Sequence, residues 1–163
     1  MGRKDLVRAA LVADARLCPI RIQKGALCNG VPMQDILVSP NHRILLTGQQ
    51  LTVNFGEDEV LAAAKHLVGM PGVEKVAPRD VRFLHLLCAR HEVLMVDAVW
   101  TESYQPYKYA MNGLASDQAH KILALFPELR DRKLNLSFRD ARTVLRSHET
   151  QIACASLGFE ARH

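Results

Sequence analysis

Asp35-Ile-Leu-Val-Ser39-Pro40-Asn41-His42-Arg-Ile-Leu-Leu46 contains one short polar turn between two apolar runs, and this arrangement is the main basis for predicting the fold. Runs of this length, with Ile and Val and no helix-capping residue, predict strands buried on both faces. A hydroxyl and an imidazole three residues apart across the Pro40 turn can face one point, so Ser39 and His42 form a candidate site. The same residues also fit a loop histidine that hydrogen-bonds a neighbouring carbonyl, and the residues alone leave both interpretations open.

The composition is that of an ordinary globular domain, with 163 residues, 48% of them hydrophobic and 23% charged. The net charge of +4 comes from 21 basic and 17 acidic residues mixed along the chain, and only 6% of residues are aromatic. This pattern predicts no nucleic-acid partner. The N-terminus lacks a signal-peptide core, and no apolar run approaches the roughly 20 residues needed to span a bilayer. We therefore expect no membrane partner and, by default, a cytoplasmic location unless a longer parent protein is exported.

The four cysteines lie at wide, irregular spacings without a Cys-x-x-Cys pair, which predicts neither a zinc site nor a disulfide framework. Cys88-Ala-Arg-His91 has a ligand-like spacing, but one such pair does not make a tetrahedral site. No glycine-rich phosphate loop follows a strand. The sequence therefore predicts no metal and no cofactor.

The residues on either side of the opening stretch predict a β-rich body. Pro19-Ile-Arg-Ile-Gln23 alternates as a short strand, and Gln50 to Phe55 alternates weakly. The alanine-rich segment from Glu59 to Val68 predicts a helix by propensity. Val81 to Trp100 predicts two strands that form a hairpin through the core.

The last third of the chain predicts helices. Ser116 can cap a helix that ends near Pro127, and a second helix is expected behind Ser137, with the apolar stripe Ala141, Val144 and Leu145. We expect the tail beyond Glu149 to be poorly ordered. The expected organisation is a β-domain over residues 1–115, a helical appendage over 116–149 and a disordered tail over 150–163.

Two stretches carry a resemblance to a known family. Ser39-Pro-Asn-His42 with its flanking strands resembles the second sequence block of Hint domains, the Hedgehog and intein autoprocessing modules, which usually reads Thr-x-x-His. The stretch from Leu86 to Ser103 is similar to the late strand pair of the same fold. From Pro19 to Tyr104, with the helical tail, the chain is most similar to bacterial Hint proteins of the Hedgehog-like type. The resemblance implies a mainly β, horseshoe-shaped Hint fold followed by a C-terminal pair of α-helices.

The resemblance also implies an N-to-S acyl shift, in which a cysteine attacks the preceding peptide carbonyl and another nucleophile resolves the thioester. His42 would then donate the proton to the leaving amine, and Ser39 would hold the scissile amide in a strained orientation. His91 is either a second catalytic histidine or a polar residue at the hairpin bend. Asp97 interrupts an apolar strand, must find a donor or solvent, and is a candidate to orient an imidazole.

The chain departs from the family pattern at both ends of the module. No cysteine opens it, so the resemblance predicts that the first block and its strands are missing and that the chain alone does not cleave itself. Its partner would be an N-terminally attached polypeptide or a complementary split segment. Thr101-Glu102 stands roughly where inteins end in His-Asn, so splicing is not expected. The alternative is a noncatalytic structural or interaction remnant, in which unpaired strand edges favour self-association by strand addition.

Overall fold

The computed structural model describes residues 2–6, 18–77, 81–86, 88, 90–105 and 139–159. In these ranges the chain is mainly β, as the sequence predicts, and its regular elements are β1 (Gly2–Leu6), β2 (Ile20–Ile22), β3 (Ile36–Val38), β4 (Arg43–Thr47), α1 (Gln50–Phe55), β5 (Glu59–Ala63), β6 (Val73–Lys75), β7 (Val81–His85), β8 (Val93–Val96), β9 (Val99–Glu102), β10 (Thr143–Leu145) and α2 (Ser147–Ser156). Two short 3-10 helices cover Cys28–Gly30 and Ala64–His66. No helix within the described ranges is long and apolar enough to cross a bilayer.

The larger sheet has five strands in the order β10-β5-β4-β9-β8. Strand β4 runs antiparallel to β5, with Ile44 opposite Ala62, and β10 runs parallel to β5 on its other side. Strands β8 and β9 form a hairpin whose tip is Asp97 and Ala98, with φ angles of 50° and 64°. Positive φ at both tip residues is the geometry whose twist matches that of the two strands.

The Ser39–His42 turn joins two sheets. The second sheet has three strands in the order β3-β2-β6, and β1 pairs separately with β7. The turn therefore carries the chain from β3, at the edge of the three-stranded sheet, to β4, inside the five-stranded one. Strand β2 confirms the strand predicted at Pro19–Gln23. The expectation of burial on both faces is wrong for β3, because an edge strand keeps contact with solvent and Leu37 is 38% exposed.

The hydrophobic core draws on both sheets and on the C-terminal segment. Ile20, Ile44, Val60 and Leu67 are almost completely buried in one cluster. The same cluster includes residues near the end of the described chain, namely Leu145, Ala153 and Cys154. Residues 143–159 are therefore part of the folded body.

Two local expectations are wrong between residues 50 and 68. Gln50–Phe55 is helix α1 and not a strand, and it ends at Gly56, whose φ of 73° is the left-handed conformation common at helix ends. Glu59–Ala63 is strand β5, and only Ala64–His66 is helical, as a 3-10 turn. Pairing on both sides, with β4 and β10, outweighs the modest helix preference of alanine.

The expected hairpin over Val81–Trp100 is also wrong in its pairing. Strand β7 pairs with β1, while β8 pairs with β9. The sequence placed both strands but could not show which partner each would take.

The C-terminal expectations differ from the structure as well. The residues expected to continue a helix behind Ser137 form β10, and the tail expected to be poorly ordered beyond Glu149 belongs to α2. Glu149 supports the start of α2, because its carboxylate accepts the backbone N–H of Arg146 at 2.6 Å. The helix expected from Ser116 to Pro127 lies outside the described residues.

Candidate active site

The Ser39–His42 turn is a β-turn held at several points. The backbone N–H of His42 donates to the Ser39 carbonyl at 3.0 Å, and Pro40 occupies the position where its fixed φ suits such a turn. The 3-10 helix after β5 clasps the turn, because Ala64 N–H donates to the His42 carbonyl at 2.8 Å and Lys65 N–H to the Pro40 carbonyl at 2.9 Å. The backbone that carries His42 is therefore fixed on both sides.

The imidazole of His42 meets the hydroxyl of Thr101. Thr101 lies on β9 opposite Ile44 of β4, is 6% exposed, and brings its Oγ1 into hydrogen-bonding contact with His42 Nε2. The hydroxyl donates its one proton to the Arg43 carbonyl at 2.9 Å, so toward His42 it acts as an acceptor. His42 Nε2–H is therefore the donor to the Thr101 hydroxyl.

A buried charged network lies directly behind this pair. Arg43 and Glu102 have side chains only 9% and 7% exposed, and Arg43 Nη1 donates to Glu102 Oε2 at 3.0 Å. The other oxygen of Glu102 accepts the Arg43 backbone N–H at 3.0 Å. Arg43 Nη1 also donates to Asp140 Oδ1 at 2.9 Å and contacts Gln105 Oε1 at 3.4 Å. Buried charges are tolerated when they are paired and hydrogen-bonded in this way.

His91 belongs to that network. Its ring is fully buried, its Nδ1 accepts the backbone N–H of Ala141 at 2.9 Å, and its Nε2 lies 3.2 Å from Glu102 Oε2. Because a backbone N–H can only donate, Nδ1 carries the lone pair and Nε2–H donates to Glu102. His91 is thus not at the tip of the β8–β9 hairpin. Both of its ring nitrogens form hydrogen bonds inside the buried network.

The other two predicted site residues, Ser39 and Asp97, lie in the turn and at the tip of the β8–β9 hairpin, respectively. Ser39 contacts His42 through its backbone carbonyl, and the role of its hydroxyl stays a prediction. Asp97 lies at the exposed hairpin tip, where its carboxylate accepts a hydrogen bond from Gln34 at 3.2 Å. Asp97 belongs to the turn before β9, whereas Thr101 lies near the other end of that strand.

Sequence reasoning missed Arg43, Thr101 as a partner of His42, and Asp140. Arg43 carried a readable signal, since a charged residue at the head of an apolar strand must find a partner when the strand is buried. Glu102 carried the same signal at the end of β9. Nothing local marks Asp140, because it approaches Arg43 from 97 residues further along the chain.

The described cysteines are all free thiols. Burial raises the pKa of Cys154 to about 11, with a further contribution from nearby Cys28, and burial also raises the pKa of Cys28. Since the thiolate is the nucleophilic form, these two are poor nucleophiles at neutral pH. Within the described residues, no group of three or more His, Cys, Asp or Glu side chains is arranged to hold a metal ion.

Comparison with known protein families identifies the family of this chain. The Hint domain family matches the chain over residues 1–108. The chain belongs to the Hint domain family. No curated protein and no solved structure matches it.

The Hint domain match contains both sequence stretches that carried the resemblance, around His42 and from Leu86 to Ser103. It also contains Arg43, Thr101 and Glu102. It ends before Asp140 and Ala141, the two residues that complete the network from the C-terminal side.

Proposed function

We propose that this Hint domain is an autoprocessing module in which His42 supplies the proton for cleavage of an attached peptide bond. The observation that carries the proposal is the fixed orientation of the His42 ring. Its Nε2–H donates to the Thr101 hydroxyl, and that hydroxyl donates to the Arg43 carbonyl. Membership of a family known for autoprocessing gives this geometry its chemical context.

The proposed reaction begins with a cysteine thiol in the polypeptide joined to this domain. The sulfur attacks the carbonyl carbon of the peptide bond on the cysteine's N-terminal side, and the C–S bond forms as the C–N bond breaks. His42 accepts the proton that the thiol loses and donates it to the departing amine. A thiol or water then attacks the thioester, the C–S bond breaks, and the cysteine is regenerated.

Ser39 has a supporting role in this proposal. Its carbonyl fixes the turn through the His42 N–H, and its side chain begins the same turn. A hydroxyl there would hold the scissile amide away from planarity, which weakens its resonance and favours attack.

We further propose that the nucleophile comes from a segment in front of residue 1 or from a separate complementary chain. The raised thiol pKa values of Cys28 and Cys154 argue against these two as the attacking group. This proposal predicts that the 163-residue polypeptide expressed by itself does not cleave.

We also propose that cleavage is followed by transfer or hydrolysis and not by splicing. Thr101 and Glu102, which stand near the place of the terminal His-Asn of inteins, are 6% and 8% exposed. The Glu102 carboxylate accepts hydrogen bonds from the backbone and side chain of Arg43 and from His91. A carboxylate held in this way is a poor group for the cyclisation that releases a C-terminal segment.

A reporter fusion tests the proposal. A reporter and then a cysteine-led segment of the family type are joined in front of Met1, and the protein is incubated with dithiothreitol. Mass spectrometry should find the reporter released as its thiol adduct, while the same fusion with that cysteine changed to alanine stays intact. A folded fusion that no thiol cleaves would favour the noncatalytic interpretation. Thiol-dependent release of a reporter joined directly to Met1 would show that the nucleophile lies within the 163 residues.

A further inference from the structure

We propose that Asp140 and Ala141, which lie beyond the Hint domain match, are positioning residues of the cleavage site. They hold Arg43 and His91 and, through these, set the orientation of the His42 ring. This inference rests on the proposed function for its kinetic part, while its structural part can be tested without cleavage.

The C-terminal segment is fixed well enough to serve this purpose. Strand β10 begins at Thr143, two residues after Ala141, and pairs in parallel with β5, with Thr143 opposite Val60. After β10, helix α2 buries Ala153 and Cys154 in the core. Strand pairing and core packing thus anchor the segment that follows Asp140 and Ala141.

Two contacts connect this segment to the network. The Asp140 carboxylate accepts from Arg43 Nη1 at 2.9 Å, and the Ala141 N–H donates to His91 Nδ1 at 2.9 Å. The first contact gives the buried guanidinium a second negative partner besides Glu102. The second contact fixes the His91 tautomer, which in turn aims Nε2–H at Glu102.

The network is connected to His42 both through the covalent backbone and through hydrogen bonds. Arg43 is the next residue after His42, and its carbonyl accepts the Thr101 hydroxyl proton at 2.9 Å. Thr101 precedes Glu102 on β9, and Glu102 binds both the backbone and the side chain of Arg43. The Glu102 carboxylate therefore links the Arg43 guanidinium to the backbone N–H of Arg43 and to the residue next to Thr101.

Asp140 is a suitable place to perturb this path. Its side chain is 32% exposed, so water can solvate part of the gap left by a smaller residue, and the folded protein should tolerate the change. Glu74 offers a matched control in the other sheet. It is also a carboxylate paired with an arginine, Arg21, but its side chain is 51% exposed and it lies on β6 of the three-stranded sheet, whereas Arg43 and Glu102 lie in the five-stranded sheet.

The experiment compares Asp140→Ala, Asp140→Asn and Glu74→Ala. In the cysteine-restored fusion, Asp140→Ala should slow thiol-dependent release about tenfold or more. This loss is a part of the rate increase that a positioned general acid provides. Asp140→Asn keeps an oxygen acceptor for Arg43 and should recover part of the rate, and Glu74→Ala should release the reporter at the wild-type rate.

Nitrogen-15 NMR of the imidazole rings in the 163-residue protein supplies a second readout that does not need cleavage. Asp140→Ala should shift the ring signals of both His42 and His91, whereas Glu74→Ala should leave both in place. Ring signals unchanged in folded Asp140→Ala would overturn the inference, whatever the fusion does. If Asp140→Ala does not fold, the same comparison with Asp140→Asn decides. A wild-type fusion that fails to cleave refutes the proposed function alone, because the NMR comparison still judges the positioning role.

Discussion

Thr101→Val removes the hydroxyl that links His42 to Arg43 while keeping nearly the same shape. Thr101 is 6% exposed, so water cannot readily replace the lost group. The substitution deletes the hydrogen bond to the Arg43 carbonyl at 2.9 Å and the acceptor for His42 Nε2–H. We expect both a less stable fold and a poorly oriented imidazole.

The size of the effect follows from these two contacts. A neutral hydrogen bond contributes about 0.5–1.5 kcal/mol, and a buried group left without its partner costs about 1–3 kcal/mol, so we expect a destabilisation of about 2–4 kcal/mol. Release of the reporter from the cysteine-restored fusion should slow by about 10- to 100-fold, since general acid catalysis contributes about 10²- to 10⁴-fold in all.

The assay is single-turnover release at a fixed thiol concentration, paired with urea unfolding of the same variants. Thr101→Ser is the control, because it keeps the hydroxyl and loses only a methyl group. The serine variant should stay within a few-fold of the wild-type rate. A valine variant that cleaves as fast as wild type, or a serine variant as slow as valine, would refute the role given to this hydroxyl.

Three further predictions concern the network, the thiols and the hairpin tip. Glu102→Ala should lower the free energy of unfolding by about 3–5 kcal/mol in urea, because it leaves Arg43 buried with fewer partners; a change below 1 kcal/mol would contradict the pairing. The Cys154 thiol ionises near 9.0 when unfolded and near 11 when folded, so its contribution to stability is complete below pH 9 and is lost as the pH rises toward 11. Alkylation of native Cys154 at pH 8 should accordingly be far slower than in urea, and equal rates would show that its burial is overstated. Asp97→Asn should leave the release rate unchanged, because the carboxylate bonds Gln34 at the hairpin tip; a marked slowing would restore Asp97 as an orienting group.

The central turn could be read from sequence because its causes are local. Pro40 fixes a turn position by its ring, and the apolar runs on both sides have the length and composition of strands. The structure places β3 and β4 there and brings His42 to a buried partner. The mainly β class and the family followed from the same residues.

The remaining elements depend on distant partners and could not be read locally. The alanines of β5 favour a helix on their own, but strands β4 and β10 flank them, and β10 comes from about 80 residues later. Propensities of a few tenths of a kcal/mol per residue cannot decide against such pairing. Asp140 also lies where a helix was expected. Its role becomes visible only through its contact with Arg43, which is 97 residues earlier in the chain.

The most direct test of the role of His42 is the release rate of His42→Ala against His148→Ala in the cysteine-restored fusion. His148 is an exposed histidine in the first turn of α2, so its removal controls for the loss of an imidazole from the protein. Under the same thiol concentration and pH, His42→Ala should release the reporter about 100-fold more slowly than wild type, and His148→Ala at the wild-type rate. Equal release from both variants would show that His42 takes no part in cleavage.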